Sequence, residues 1–146
     1  MRREQRFVPE PSQDEGIRSA VVGTLGSHGT EPAAIDLLVQ LLDDPSPQVR
    51  IPALSSLGFL RRPSTLRKIC SLANDDSPRV RAWVAIALGN FSSLELAELG
   101  VSAVLDQLAA DADPYVRDEA AAARRRKPSS SPPVESVLGE ADLGGS

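Results

Sequence analysis

Aromatic side chains are scarce in this chain: Phe, Trp and Tyr together make up 3% of its 146 residues, against a hydrophobic share of 41%. A core built from such a sequence must be aliphatic, and Leu and Ala favour helices. Segments rich in Thr, Tyr and Phe, which would mark strands, are missing. There is one cysteine, Cys70, inside an apolar run. That excludes an internal disulfide and fits a reducing, cytoplasmic setting. The single histidine, His28, lies in the loop "GSHGTE" and lacks the companions a metal site needs. Positive charge is not in excess: 16 Lys and Arg face 20 Asp and Glu, for a net charge of −4 and a pI near 5.0. Nothing in that balance attracts nucleic acid or an anionic membrane. No apolar run approaches the roughly 20 residues that span a bilayer. The opening "MRREQRFVPEPSQ" has no apolar stretch after it, which argues against a signal peptide. A glycine-rich phosphate loop is absent, and the serines sit in caps, turns and the tail with no base beside them in the pattern.

What the chain does have is repetition. "IRSAVVGTLG" begins at Ile17, "VRIPALSSLG" at Val49, "VRAWVAIALG" at Val80 and "VRDEAAAARR" at Val116, at intervals of 32, 31 and 36 residues. Three copies end in Leu-Gly, and an Arg (Arg18, Arg50, Arg81, Arg117) follows the first apolar residue in all four. The three later copies are preceded by "DDPSPQ", "DDSPR" and "DADPY". These read as helix starts. Ser46, Ser77 and Asp113 can accept from free backbone N–H groups. Pro47, Pro78 and Pro114 then occupy the first helical position, where a missing N–H costs nothing.

Apolar residues then recur with helical spacing: Val80, Trp83, Val84, Ala87 and Leu88 share one face. Pro52 should bend its helix near the first turn, and Gly26, Gly58 and Gly89 suit helix ends. The pattern predicts paired helices. The second of each pair (B) covers 15–26, 47–60, 78–91 and 114–126; the first (A) covers 32–43, 64–74 and 94–110. Ser92 and Glu95 have capping-box spacing at the start of the last A helix, and Gly100 is placed to break it. The expected architecture is all-α: a right-handed α-solenoid of about three and a half repeats over 14–127. Residues 1–13 and the Ser/Pro/Gly-rich 128–146 are expected to be disordered.

The unit "D-x-x-P-x-V-R-x-x-A-x-x-A-L-G" resembles HEAT repeats, particularly the short HEAT-like repeats of phycobilisome bilin lyase subunits. The resemblance covers about 15–126 and decays in the fourth repeat, where Arg124 and Arg125 replace Leu and Gly. It implies A helices on a convex face and B helices on a concave face that holds a protein or peptide. It also implies a noncatalytic scaffold without a cofactor. Bilin lyase subunits and HEAT-like nucleic-acid-binding proteins are the alternatives. The repeated His-Glu pairs of HEAT-like di-iron enzymes are missing, and the acidic pI weighs against nucleic acid.

The four-fold Arg ladder has two readings. Each guanidinium can pair with an acid of an interhelical turn (Asp44, Asp76, Asp111 or Asp113), or the row can grip an acidic partner. The recurrence of Arg together with Asp favours the structural reading. Trp83 replaces Ala20, Pro52 and Glu119 of the other units; core packing is its default role and a groove contact the alternative. Of Phe59, Phe91 and Tyr115, Tyr115 is expected to be the most exposed. Arg79 matches Gln48 and Tyr115 in register. The candidate partner-binding residues are therefore Gln48, Arg50, Arg79, Arg81, Trp83, Tyr115 and Arg117. The basic run "ARRRK" at 123–127 is read as a helix C-terminus whose cations complement the dipole, with binding of nucleic acid or phosphate as the alternative.

Overall fold

The computed structural model describes residues 11–28 and 31–126. The disorder expected for 1–10 and 128–146 lies outside the described residues. Among the described residues eight α-helices follow one another: α1 Pro11–Ser27, α2 Pro32–Leu41, α3 Pro47–Leu60, α4 Leu66–Cys70, α5 Pro78–Leu88, α6 Ser93–Glu98, α7 Ser102–Ala109 and α8 Pro114–Arg125. Among the described residues there is no strand. The first helix starts at Pro11, one turn before its expected start and inside the segment expected to be disordered. A proline at the first helical position sacrifices no hydrogen bond.

The helix starts follow the local chemistry. Ser46 Oγ accepts from the Gln48 N–H at 3.1 Å, and Ser77 Oγ from the Val80 N–H at 3.4 Å. Asp113 accepts from the Tyr115 and Val116 N–H groups at 2.8 and 3.4 Å. Ser92 and Glu95 form a reciprocal capping box, at 3.0 and 3.1 Å, that starts α6. Gly100, at φ 71°, separates α6 from α7, so the long A helix expected over 94–110 is two. The A helix expected over 64–74 is also divided. Short 3₁₀ turns at Pro63–Thr65 and Ser71–Asn74 flank α4. Hydroxyls intrude on its backbone there: Thr65 Oγ donates to the Arg62 carbonyl at 2.8 Å and Ser71 Oγ to that of Lys68 at 2.6 Å. The second B helix, α3, is unbroken through Pro52.

The B helices α1, α3, α5 and α8 stack in a row, each on the next. The A elements flank this row: α2 touches α1 and α3, α4 with its 3₁₀ turns packs on α5, and α7 touches α5 and α8. The result is an α-solenoid. Its core takes the register residues Val49, Val80 and Val116, with Leu57 and Leu88, all fully buried. From the A side come Leu38, Leu42, Leu66, Ile69, Leu105 and Leu108. No single repeat encloses these side chains; adjacent repeats do it together.

The repeated glycines serve close packing; Gly89 caps the end of α5 as expected, whereas Gly26 and Gly58 do not end their helices. Gly26 and Gly58 lie inside α1 and α3. A Cβ on Gly58 would sit 2.9 Å from both Cα and Cβ of Ala87, and one on Gly89 would sit 3.0 Å from Ala123 Cβ. At Gly26 the neighbour would be Ser56 Oγ, at 2.9 Å. Each glycine therefore meets a small residue of the next B helix. What ends α3 is Arg61, in the left-handed region at φ 53°, its N–H donating to the Leu57 carbonyl at 3.1 Å.

Candidate interaction surface

The Arg ladder is a cross-repeat staple. Arg18 donates to Asp44 through Nε and Nη2, at 2.5 and 2.8 Å. Arg50 donates to Asp75 through Nη2 at 3.1 Å. Arg81 donates to Asp111 through Nε and Nη2, at 2.8 and 3.0 Å. In every rung the carboxylate belongs to the next repeat. The same arginines reach back as well: Nη1 of Arg50, Arg81 and Arg117 donates to the carbonyl of Asp44, Asp75 and Asp111 at 2.7, 2.7 and 2.8 Å. Each of these aspartates is thus a junction. Its carbonyl takes the Arg of its own repeat, and its carboxylate takes the Arg of the repeat before. The carboxylate also accepts the backbone N–H two residues on, at 2.9 Å for Ser46, Ser77 and Asp113 alike.

The electrostatics follow. Asp111 titrates below the ordinary aspartate range, chiefly because of its Arg81 hydrogen bond, with burial opposing. At Asp44 burial is the largest influence and raises the pKa, but the Arg18 bond, the Ser46 N–H and the charges of Arg18 and Arg50 together outweigh it and lower it. The Arg81 guanidinium is held more firmly protonated by Asp111. In the second repeat the staple uses Asp75, where Asp76 was expected, and Asp113 caps α8 without pairing with an Arg side chain. Arg50 and Arg81, with side chains 14% and 18% exposed, are thereby engaged inside the fold.

The other candidates lie together on a different face. Gln48, Arg79 and Tyr115 hold one register position on α3, α5 and α8, and all three are exposed. Four residues further along lie Pro52, half-buried Trp83 and Glu119; Trp83 packs partly against the core. The same face continues through Ser55, Ile86 and Ala122 to Phe59, Asn90 and Arg126. Because the B helices are stacked in order, these rows form one continuous outer surface. Phe59 is 80% exposed and Tyr115 44%, so Phe59, not Tyr115, is the most exposed of the three; Phe91 is buried. Sequence reasoning did not count Phe59 among the site residues, although Phe59 lies inside the helix expected over 47–60. The signal available was register, which aligns Phe59 with Asn90 and Arg126. In the basic run, Arg126 Nη1 donates to Asn90 Oδ1 at 3.1 Å and Arg124 pairs with exposed Asp106 at 3.2 Å.

Burial pushes the Cys70 thiol up to about 11, with Arg67 opposing, so at neutral pH it stays protonated and unreactive. His28 Nδ1 lies 2.9 Å from the Thr24 carbonyl of its own helix. Among the described residues no three His, Cys, Asp or Glu side chains are grouped to hold a metal, and no helix is long and apolar enough to cross a membrane. The family model for HEAT repeats matches residues 35–125. No curated protein matches the chain.

Proposed function

Since the chain belongs to the HEAT-repeat family, we propose that it is a noncatalytic interaction module that holds a protein or peptide on the outer face of its B helices. HEAT repeats generally mediate protein–protein interaction, which supports the coarse reading. The observation that carries the finer one is Phe59, a large aromatic 80% exposed on the same face as Trp83, Tyr115 and Arg79. Half-buried aromatics and Arg are the usual anchors of interfaces. Arg79 adds a cation to an apolar strip, so the preferred segment is apolar with a carboxylate beside it. The single half-buried cysteine supports a reducing, cytoplasmic setting.

The test is partner capture by the intact chain and by Phe59→Asp and Arg79→Glu, with circular dichroism confirming that both variants fold. Loss of the captured protein from both variants, and its retention by Ile17→Asp on another face, is the expected result. Unchanged capture by Phe59→Asp would move the partner elsewhere.

A second reading, a bilin lyase subunit, is favoured by repeat intervals of only 31 and 32 residues. It requires a change in bilin absorbance on mixing with the chain, and a flat spectrum rejects it. Nucleic-acid binding is disfavoured by the net charge of −4, and a low-salt gel shift tests it.

A further inference from the structure

The fourth repeat holds a cleft of about 240 Å³. Its apolar lining comes from Leu88 at the end of α5, Phe91 just beyond it, Leu96 of α6 and Leu105 of α7, all buried. Buried Ala123 of α8 joins them. Register explains the space. The ninth residue of the B motif is Leu25, Leu57 and Leu88 in the first three copies. Leu57 and Leu88 are fully buried, and Leu25 is half-buried. In the fourth copy the ninth residue is Arg124, which lines the cleft and is exposed. One leucine side chain is thus missing at a position where three repeats supply it. Apolar walls with no atoms opposite them forfeit those contacts.

The rest of the lining is polar and carries both signs of charge. Arg124 Nη1 lies 3.2 Å from Asp106 Oδ1, and the two side chains are 51% and 67% exposed. An ion pair this exposed is weak and opens at little cost. Ser93 and Ser102 complete the lining. Both are exposed, and among the described residues no protein group bonds to either hydroxyl.

We propose that this cleft binds a free α-amino acid with a leucine-like side chain. The isobutyl group takes the place of the missing leucine. The carboxylate accepts from the Arg124 guanidinium, whose parallel N–H groups suit it. The ammonium donates to Asp106. The serine hydroxyls, each a donor and an acceptor, serve the remaining lone pairs and protons. Related chemistries match less well. A carboxylate without an amine meets Arg124 but faces the Asp106 charge, and an amine without a carboxylate has the opposite conflict. A leucine within a peptide offers only neutral amides to the two charges. The volume falls below the roughly 300–1,000 Å³ of drug-sized sites, so a nucleotide is too large. The cleft shares no residue with the outer face of the B helices and does not depend on that surface's role.

Titration of the intact chain with L-leucine, followed by amide NMR shifts and calorimetry, tests this. Saturable shifts should centre on Leu96, Ser102, Asp106 and Arg124. Isocaproate lacks the ammonium, isopentylamine the carboxylate and L-alanine the isobutyl group; each should bind at least tenfold more weakly. Arg124→Leu restores the leucine of the repeat, and should abolish binding while raising the melting temperature. Asp106→Asn should weaken binding at least tenfold with an unchanged circular dichroism spectrum. Absence of L-leucine binding to the parent overturns the proposal, as does binding that survives Arg124→Leu. N-acetyl-L-leucinamide binding as tightly as L-leucine assigns the cleft to a peptide and overturns it as well.

Discussion

Val80 and Ile17 hold the same place in two copies of one pattern, yet Val80 is fully buried and Ile17 is 63% exposed. The difference lies in the neighbours. Val80 starts α5, against which α4 and its 3₁₀ turns pack, with α3 and α8 on either side. Ile17 lies on α1, and among the described residues no A helix precedes α1 to cover it. In a stacked array, burial is conferred by the adjacent repeat and only permitted by the residue itself. The interior and the first edge of the molecule are therefore energetically different while remaining similar in sequence.

The largest expected contrast is in the core. Leu88→Ala should cost about 2–4 kcal/mol through lost contacts and the cavity left behind. Ile17→Ala, on the open edge, should cost under about 0.5 kcal/mol. Denaturant unfolding of both variants measures this, and equal losses would erase the distinction.

Next comes the staple. Asp111→Ala leaves the Arg81 side chain part-buried without its carboxylate and removes the acceptor of the Asp113 N–H, at a cost of about 2–3 kcal/mol. Asp43→Ala breaks an ion pair to Lys68 in which the Asp is 67% exposed. That change should cost about 0.5 kcal/mol or less, and salt should remove most of the effect.

The glycines give a smaller contrast. Gly58→Ala places a Cβ against the Ala87 backbone, which cannot rotate away. Overpacking of about 1–3 kcal/mol, less about 1 kcal/mol of helix propensity gained, leaves a net loss of about 1 kcal/mol. Gly26→Ala meets only the Ser56 hydroxyl, which can turn aside. Its melting temperature should stay within a degree or two of the parent.

Smallest near neutrality is the effect of pH. Asp44 and Asp111 are more acidic folded than unfolded. Their stabilisation is fully present above the unfolded aspartate value of about 3.9 and is lost as pH falls through their lower folded values. Urea midpoints should therefore be insensitive to these groups at pH 5–7 and fall below about pH 4. The fall should be shallower in Asp111→Asn.

Much of the fold was legible because it is written locally. Ser46, Ser77 and Asp113 cap the helices for reasons contained within three residues of each. Gly100 and the Ser92–Glu95 box divide the chain in the same way. What was not legible depends on distance across repeats. The pair Asp75-Asp76 does not say which carboxylate faces the preceding Arg, and nothing near Gly58 announces Ala87. The broken A element at 63–74 reflects hydroxyls competing for backbone carbonyls, which helical periodicity does not register. The candidate surface was half legible. Gln48, Arg79 and Tyr115 stand out because they vary where their neighbours repeat, whereas the exposure of Phe59, inside the helix expected over 47–60, depends on what packs against that end of α3.

The central claim is that each repeat is stapled to the next by one Arg–Asp pair, and a double-mutant cycle on Arg81 and Asp111 tests it most directly. Arg81→Gln, Asp111→Asn and the double variant are unfolded in urea alongside the parent. A coupling energy of about 1–2 kcal/mol is predicted for this bidentate, part-buried pair. Single losses that add to within about 0.3 kcal/mol would show that the two side chains contribute independently, and would contradict the account.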